Sequence, residues 1–154
     1  MTKIWFSSED EIAHIAHGVV ERTLPKPEWT HAAHFACALY LLRHRGIERT
    51  LAEMPDLIRA YNLATGVANT DSEGFHATIT TASIRAASPV LEGFGPNVGL
   101  HLVLDVLMAG PLGESKWPLA YWTRERLFSV EARRGWVEPD VAPLNFRSRP
   151  SVEA

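Results

Sequence analysis

The chain has one cysteine, Cys37, in 154 residues. That excludes an intrachain disulfide framework and any C-x-x-C metal or redox motif. Cys37 lies in an apolar run, where a thiol acts as a small hydrophobe. No uncharged apolar stretch reaches the ~18 residues of a membrane span. The opening "MTKIWFSSEDE" carries no apolar targeting segment. The expectation is a cytoplasmic protein with no membrane contact. An excess of charge of one sign is also missing: 15 Lys+Arg against 18 Asp+Glu leave a net −3, so no general affinity for nucleic acid follows. Glycine-rich phosphate loops, H-E-x-x-H and G-x-S-x-G are missing. Nothing arranges Ser, His and Asp as a nucleophilic triad. Strand-like alternation, internal repeats and low-complexity tracts are missing too.

What is present is helical. Ser8 with Glu11 reads as a capping box that opens a helix running to about Leu24. Pro25 and Pro27 break the chain, and a second helix runs to about Arg45 and stops at Gly46. A third, from about Ile47 to Ala64, keeps an apolar stripe through Leu51, Met54, Ile58 and Tyr61; Pro55 predicts a kink or two short helices there. A fourth covers about Ser72 to Ala87. A fifth, "VGLHLVLDVLM", is apolar all round, which predicts burial. Two short helical pieces follow near Leu119–Leu127 and Val130–Arg134. The expected class is all-α. One domain, a bundle of four to five main helices, spans residues 1–136, and an extended proline-rich arm spans 137–154.

Histidine carries the chemical signal. A helix advances by roughly 100° per residue, so faces can be computed. On the first helix His14 and His17 lie opposite Ile12, Ile15, Ala16, Val19 and Val20, beside Asp10 and Glu21; that is a solvated face. On the second, His31 falls in the apolar sector of Phe35, Leu39 and Leu42, and His34 at its edge beside Leu41. Two imidazoles facing inward on adjoining turns need partners, because an unsatisfied buried polar group costs roughly 1–3 kcal/mol. Spacing of i, i+3 lets two such side chains converge on one object.

His76 is the best third member. It shares a small polar stripe with Thr80 and Ser83 at the start of the fourth helix. His101 and Asp105, i and i+4 on the fifth helix, read as a ligand pair, a brace or a buried ion pair. Asn62, at the edge of the third helix's stripe, is placed to orient a ligand. Arg124 and Arg126 do not share a face; one is expected to hold the arm or meet an anionic substrate.

The stretches "TLPKPEWTHAAH", "IRAYN", "GVANTDSEGFHATIT" and "YWTRERLFSVEARRGWVEPDVAPL" resemble a small family of uncharacterised bacterial proteins. Its pattern reads W-T-H-x-x-H, N-T-D-x-x-G-Y-H-E-T and S-R-E-R-L. The resemblance puts Trp29, His31, His34, Asn62, Asn69, Thr70, His76, Thr78, Arg124 and Arg126 on motif positions, and His14, His17 and His101 off them. Phe75, Ala77 and Thr123 depart from the pattern, which has tyrosine, glutamate and serine there. The family implies positions and no reaction.

Three functional readings follow. In the first, His31, His34 and His76 hold one divalent metal. Zinc fits best, with iron, manganese, nickel and copper also compatible, and the chemistry would be metal-assisted hydrolysis, hydration or proton transfer on a small molecule. In the second, a metal-free binder or enzyme uses His34, His76 and Asn62 as its catalytic candidates, with Trp29, Tyr61, Thr80 and Arg124 contacting substrate and Phe35 and Tyr40 lining an apolar cavity. In the third, the histidines form a buried structural network. A homodimer is compatible with the many apolar helix faces.

Overall fold

A computed structural model describes residues 3–144 and 146. Among them every regular element is helical. The helices are α1 (Glu9–Val20), α2 (His31–Ala64), α3 (Ala77–Glu92), α4 (Leu100–Ala109) and the short α5 (Arg124–Leu127) and α6 (Val130–Arg134). Single 3₁₀ turns occur at Lys26–Glu28, Pro111–Gly113 and Trp117–Ala120. None of the described helices is long and apolar enough to cross a membrane. α2 is the axis of the fold: α1, α3 and α4 all pack against it.

Local chemistry explains the boundaries, including those that differ from expectation. Ser8 caps α1 by accepting the Glu11 N–H, but Glu11 turns to Ser7, whose hydroxyl donates to it at 2.6 Å. α1 stops at Val20 rather than near Leu24, because Thr23 and Leu24 fold back to donate to the Gly18 carbonyl. Leu24 then lies so close over Gly18 that a Cβ there would strike it.

The second and third expected helices meet at Gly46 as expected: its φ of 81° and ψ of 164° break the helical path, and the two halves together make up α2. Pro55 does not end the helix: the backbone stays helical through it, and Gly46 is the sole non-helical position. A proline's φ suits a helix, and it costs one hydrogen bond and some crowding of the preceding turn. Met54 and Tyr61, on either side of Pro55, are buried and offset that cost.

The fourth helix starts later than its sequence suggests, at Ala77 instead of Ser72. Thr70 captures the preceding residues in a turn: its hydroxyl accepts from the Ser72 and Glu73 amides, and its own N–H donates to the Glu73 carbonyl. Gly74, at φ 81°, then reverses the chain.

α4 departs from another expectation. It is apolar all round, yet Leu102 and Val106 stay half exposed while Leu100, Val103 and Leu104 are buried.

Among the described residues, the C-terminal arm expected from residue 137 has no regular structure beyond residue 134, and it is pinned down. Trp122 Nε1 donates to the Val137 carbonyl, Val141 N–H to Tyr121, and Thr123 donates twice to Asp140. Residues 145 and 147–154 of that arm lie outside the described residues.

A candidate ligand cavity between the two halves of α2 and α3

A cavity of about 430 Å³ opens where α2 and α3 face each other. Lys26 and Trp29 border it from the first 3₁₀ turn. The first half of α2 contributes His31, His34, Phe35 and Ala38; the second half contributes Met54, Ile58 and Asn62. α3 and the loop before it add Phe75, His76, Ile79, Thr80 and Ser83, and Ser115 and Trp117 close another side. Most of this surface is apolar or aromatic. No lining residue is an aspartate or glutamate.

The three histidines singled out by sequence all reach this cavity, but in unlike states. His76 is the N-cap of α3. Its Nδ1 accepts the Ile79 N–H at 3.1 Å, and its Nε2–H donates to the Leu127 carbonyl at 2.7 Å. Both nitrogens are spent, and the two bonds fix the tautomer. Burial lowers its pKa, against the opposing pull of the Leu127 carbonyl, so the neutral ring is favoured.

His31 spends one nitrogen: Nε2–H donates to the Leu112 carbonyl at 2.8 Å. Its ring also stands edge-on to Phe35 at 5.3 Å between centroids.

His34 has no ring hydrogen bond to any described residue. Trp29 stands edge-on to it, with ring centroids 3.8 Å apart. Protein packed around the ring, with His31 and Lys26 adding positive field, pushes its pKa down to about 4. Nonetheless its side chain keeps ample accessible surface. A ring crowded by protein on one side but open to solvent on the other is a cavity-wall group.

This geometry gives the metal-site expectation no support. A histidine ligates through a ring lone pair, and His76 has given its only one to the helix cap. Among the described residues no group of three or more His, Cys, Asp and Glu side chains is placed to hold a metal ion. His31, His34 and His76 therefore share a cavity without forming a donor set for zinc, iron, manganese, nickel or copper.

Asn62 is 5% exposed and its orientation is fixed by a network. Asn69 Oδ1 accepts the Phe75 N–H at 3.0 Å, so the Asn62 atom 3.0 Å from that oxygen must be the amide nitrogen. Asn62 Oδ1 is thereby left without a partner among the described residues. Thr80, Ser83 and Ser115 likewise make no hydroxyl hydrogen bond to described residues, which leaves small polar groups free inside an apolar wall.

Other expected substrate contacts fall elsewhere. Tyr61 is fully buried beneath Trp29 (centroids 5.4 Å apart), and its hydroxyl donates to the Leu24 carbonyl. It supports the cavity wall and does not line it. Tyr40 pairs with His17, 2.9 Å away, outside the cavity. Arg124 is exposed and is not part of the lining, whereas Arg126 holds the arm through the Glu138 carbonyl at 2.6 Å. His101 and Asp105 do not bond each other; Asp105 accepts from the Trp5 N–H, and His101 Nδ1 is buried without a partner. Ala77 opens α3 outside the lining. Lys26, Ser115 and Trp117 were not singled out by sequence. Lys26 alone carried a signal, as a lone cation between two prolines just before the H-x-x-H.

Compared with known proteins, the chain matches no family model, no curated protein and no solved structure.

Proposed function

We propose that the protein binds a small, largely apolar molecule in the α2–α3 cavity without a metal, and that His34 is the side chain that exchanges hydrogen bonds or a proton with it. One observation carries the reading: His34 stands in the cavity wall with both ring nitrogens unspent, while its neighbours are committed to carbonyls and a helix cap. Neutral imidazole offers one donor and one acceptor. With a pKa near 4, only about one ring in a thousand is protonated at pH 7. Such a ring is a weak base, since proton transfer is most effective when the pKa lies near the working pH. Binding is therefore its first role. Acid–base catalysis follows only for a ligand that raises its basicity. Asn62 Oδ1 adds a fixed acceptor, and Trp29 and Phe35 add apolar contact.

The test uses ring-labelled histidine and nitrogen NMR, with indole, toluene and benzyl alcohol as probes. The His34 ring signals are expected to move on addition of probe while those of His14 remain still. The response should vanish in Ser83→Phe, which fills the cavity. No movement of His34 with any probe would overturn the reading. His76 taken alone fits the structural reading, since its ring does the work of a cap and a strut.

A further inference from the structure

The unspent groups in the cavity have a one-sided character. Lys26 is the single lining residue with a permanent charge, and it is positive. No carboxylate lines the cavity to balance it. Glu28, on the same turn, is outside the lining and lies 3.2 Å from His14 Nε2. Burial is the main cause of the lowered His34 pKa, and His31 and Lys26 add to it. The lining itself thus carries a positive side chain and no negative one. A cavity with such a field and neutral donors is complementary to an anion. The donors are the His34 N–H and the hydroxyls of Thr80, Ser83 and Ser115. The remaining wall is hydrocarbon and aromatic. The volume, about 430 Å³, falls toward the lower end of the ~300–1,000 Å³ usual for small-molecule sites.

Resting on the binding role of this cavity, we propose that its ligand is a small carboxylic acid with an aryl or branched alkyl body, bound with its carboxylate toward Lys26 and the His34 ring. An anion beside His34 stabilises the imidazolium, so binding draws a proton from solution and tightens as pH falls. The other titratable groups that line the cavity are His31, His76 and Lys26. His76 is spent on both nitrogens, whereas His31 donates to Leu112 through Nε2 alone. The proton is assigned to His34, whose two nitrogens are both unspent, and the His34→Gln variant checks that assignment.

Isothermal calorimetry of the whole chain tests this with phenylacetate, 3-phenylpropanoate and isovalerate, each against its own amide. The acids are expected to bind about tenfold tighter than the amides or better, which is ~1.4 kcal/mol. Runs in two buffers of different ionisation enthalpy should show net proton uptake near pH 6, and His34→Gln should abolish it. Lys26→Met, on an exposed turn, should weaken the acids by about threefold, the scale of a solvent-exposed charge pair, and leave the amides unchanged. Thermal melts of both variants establish that they are folded. If the amides bind as tightly as the acids, the acid assignment falls and the cavity reading stands. If neither series binds, both fall. Acid binding unaffected by Ser83→Phe would place the site elsewhere and overturn the proposal.

Discussion

His34 and His76 face the same cavity from opposite walls, and the contrast between them separates scaffold from site. His76 is bonded at both ring nitrogens, one to its own helix and one to α5. It fastens three parts of the fold: the 66–76 loop, α3 and the α5 end. His34 is bonded at neither. A group that has found all its partners inside the protein contributes to stability. One with no protein partner and with its side chain open to the cavity stays free to bond water or a ligand. The same type of residue, both in H-x-x-H or G-[YF]-H contexts, does two jobs because of what the backbone places beside it.

The comparison predicts a ranking of stability. His76→Ala should cost the most, about 2–4 kcal/mol. It removes a helix cap worth ~1 kcal/mol and leaves the buried Leu127 carbonyl unpaired at roughly 1–3 kcal/mol. Urea denaturation would check it, and a loss below 1 kcal/mol would break the contrast. His76→Asn should recover part of the loss, since asparagine caps helices well.

Next in size is a pH effect. His34 titrates near 4 in the folded protein and near its ordinary value, about 6.5, when unfolded. Between those values the unfolded chain binds more protons, so stability should decline as pH falls from about 6.5 to 4. His76, also lowered by burial, acts in the same direction. His34→Gln should flatten part of this slope, as read from melting temperatures at a series of pH values. An unchanged slope would mean that His34 is not held neutral by its surroundings.

Third, His34→Gln at pH 7 should alter stability by less than about 1 kcal/mol, because no hydrogen bond to protein is lost. The smallest effect belongs to His14→Ala. Its contact with Glu28 is between exposed groups, and such pairs are worth about 0–1 kcal/mol. A loss larger than that of His34→Gln would reverse the order of the two H-x-x-H motifs.

Much of this contrast was legible in the sequence. The wheel on the first helix put His14 and His17 on the wet face, and there they lie, against Glu28 and Tyr40. The wheel on the second turned His31 and His34 inward, and the polar stripe of His76, Thr80 and Ser83 met them across the cavity. What a wheel cannot give is hydrogen-bond partnership. Whether the His76 lone pair is free depends on the start of α3 falling at Ala77 rather than Ser72. That was decided by Thr70, Asn69 and Gly74, which build a turn where the residue types equally suit a first helical turn. The carbonyls of Leu112 and Leu127 come from distant loops that no local pattern locates. Several residues on motif positions prove to be ties. Thr78 bridges Gly135 and Val137, Asn69 brackets Asn62, Phe75 and Arg59, and Arg126 holds the arm. Pro55 misled for a plain reason: a proline signals loss of a hydrogen bond, but buried neighbours hold the helix together through it.

The left-handed residue at Gly46 has one more consequence. His31, His34, Phe35 and Ala38 precede it, and Met54, Ile58 and Asn62 follow it, so a single flexure sets the spacing of two walls of the binding space. Nothing lies within 4 Å of where a Cβ at Gly46 would stand. A larger residue there would meet no neighbouring atom, but φ 81° with ψ 164° is a conformation essentially restricted to glycine, and forcing a side chain into it costs on the order of 1–3 kcal/mol or more. The backbone turn at this one residue therefore fixes how far apart the two walls stand, although Gly46 itself is not part of the lining.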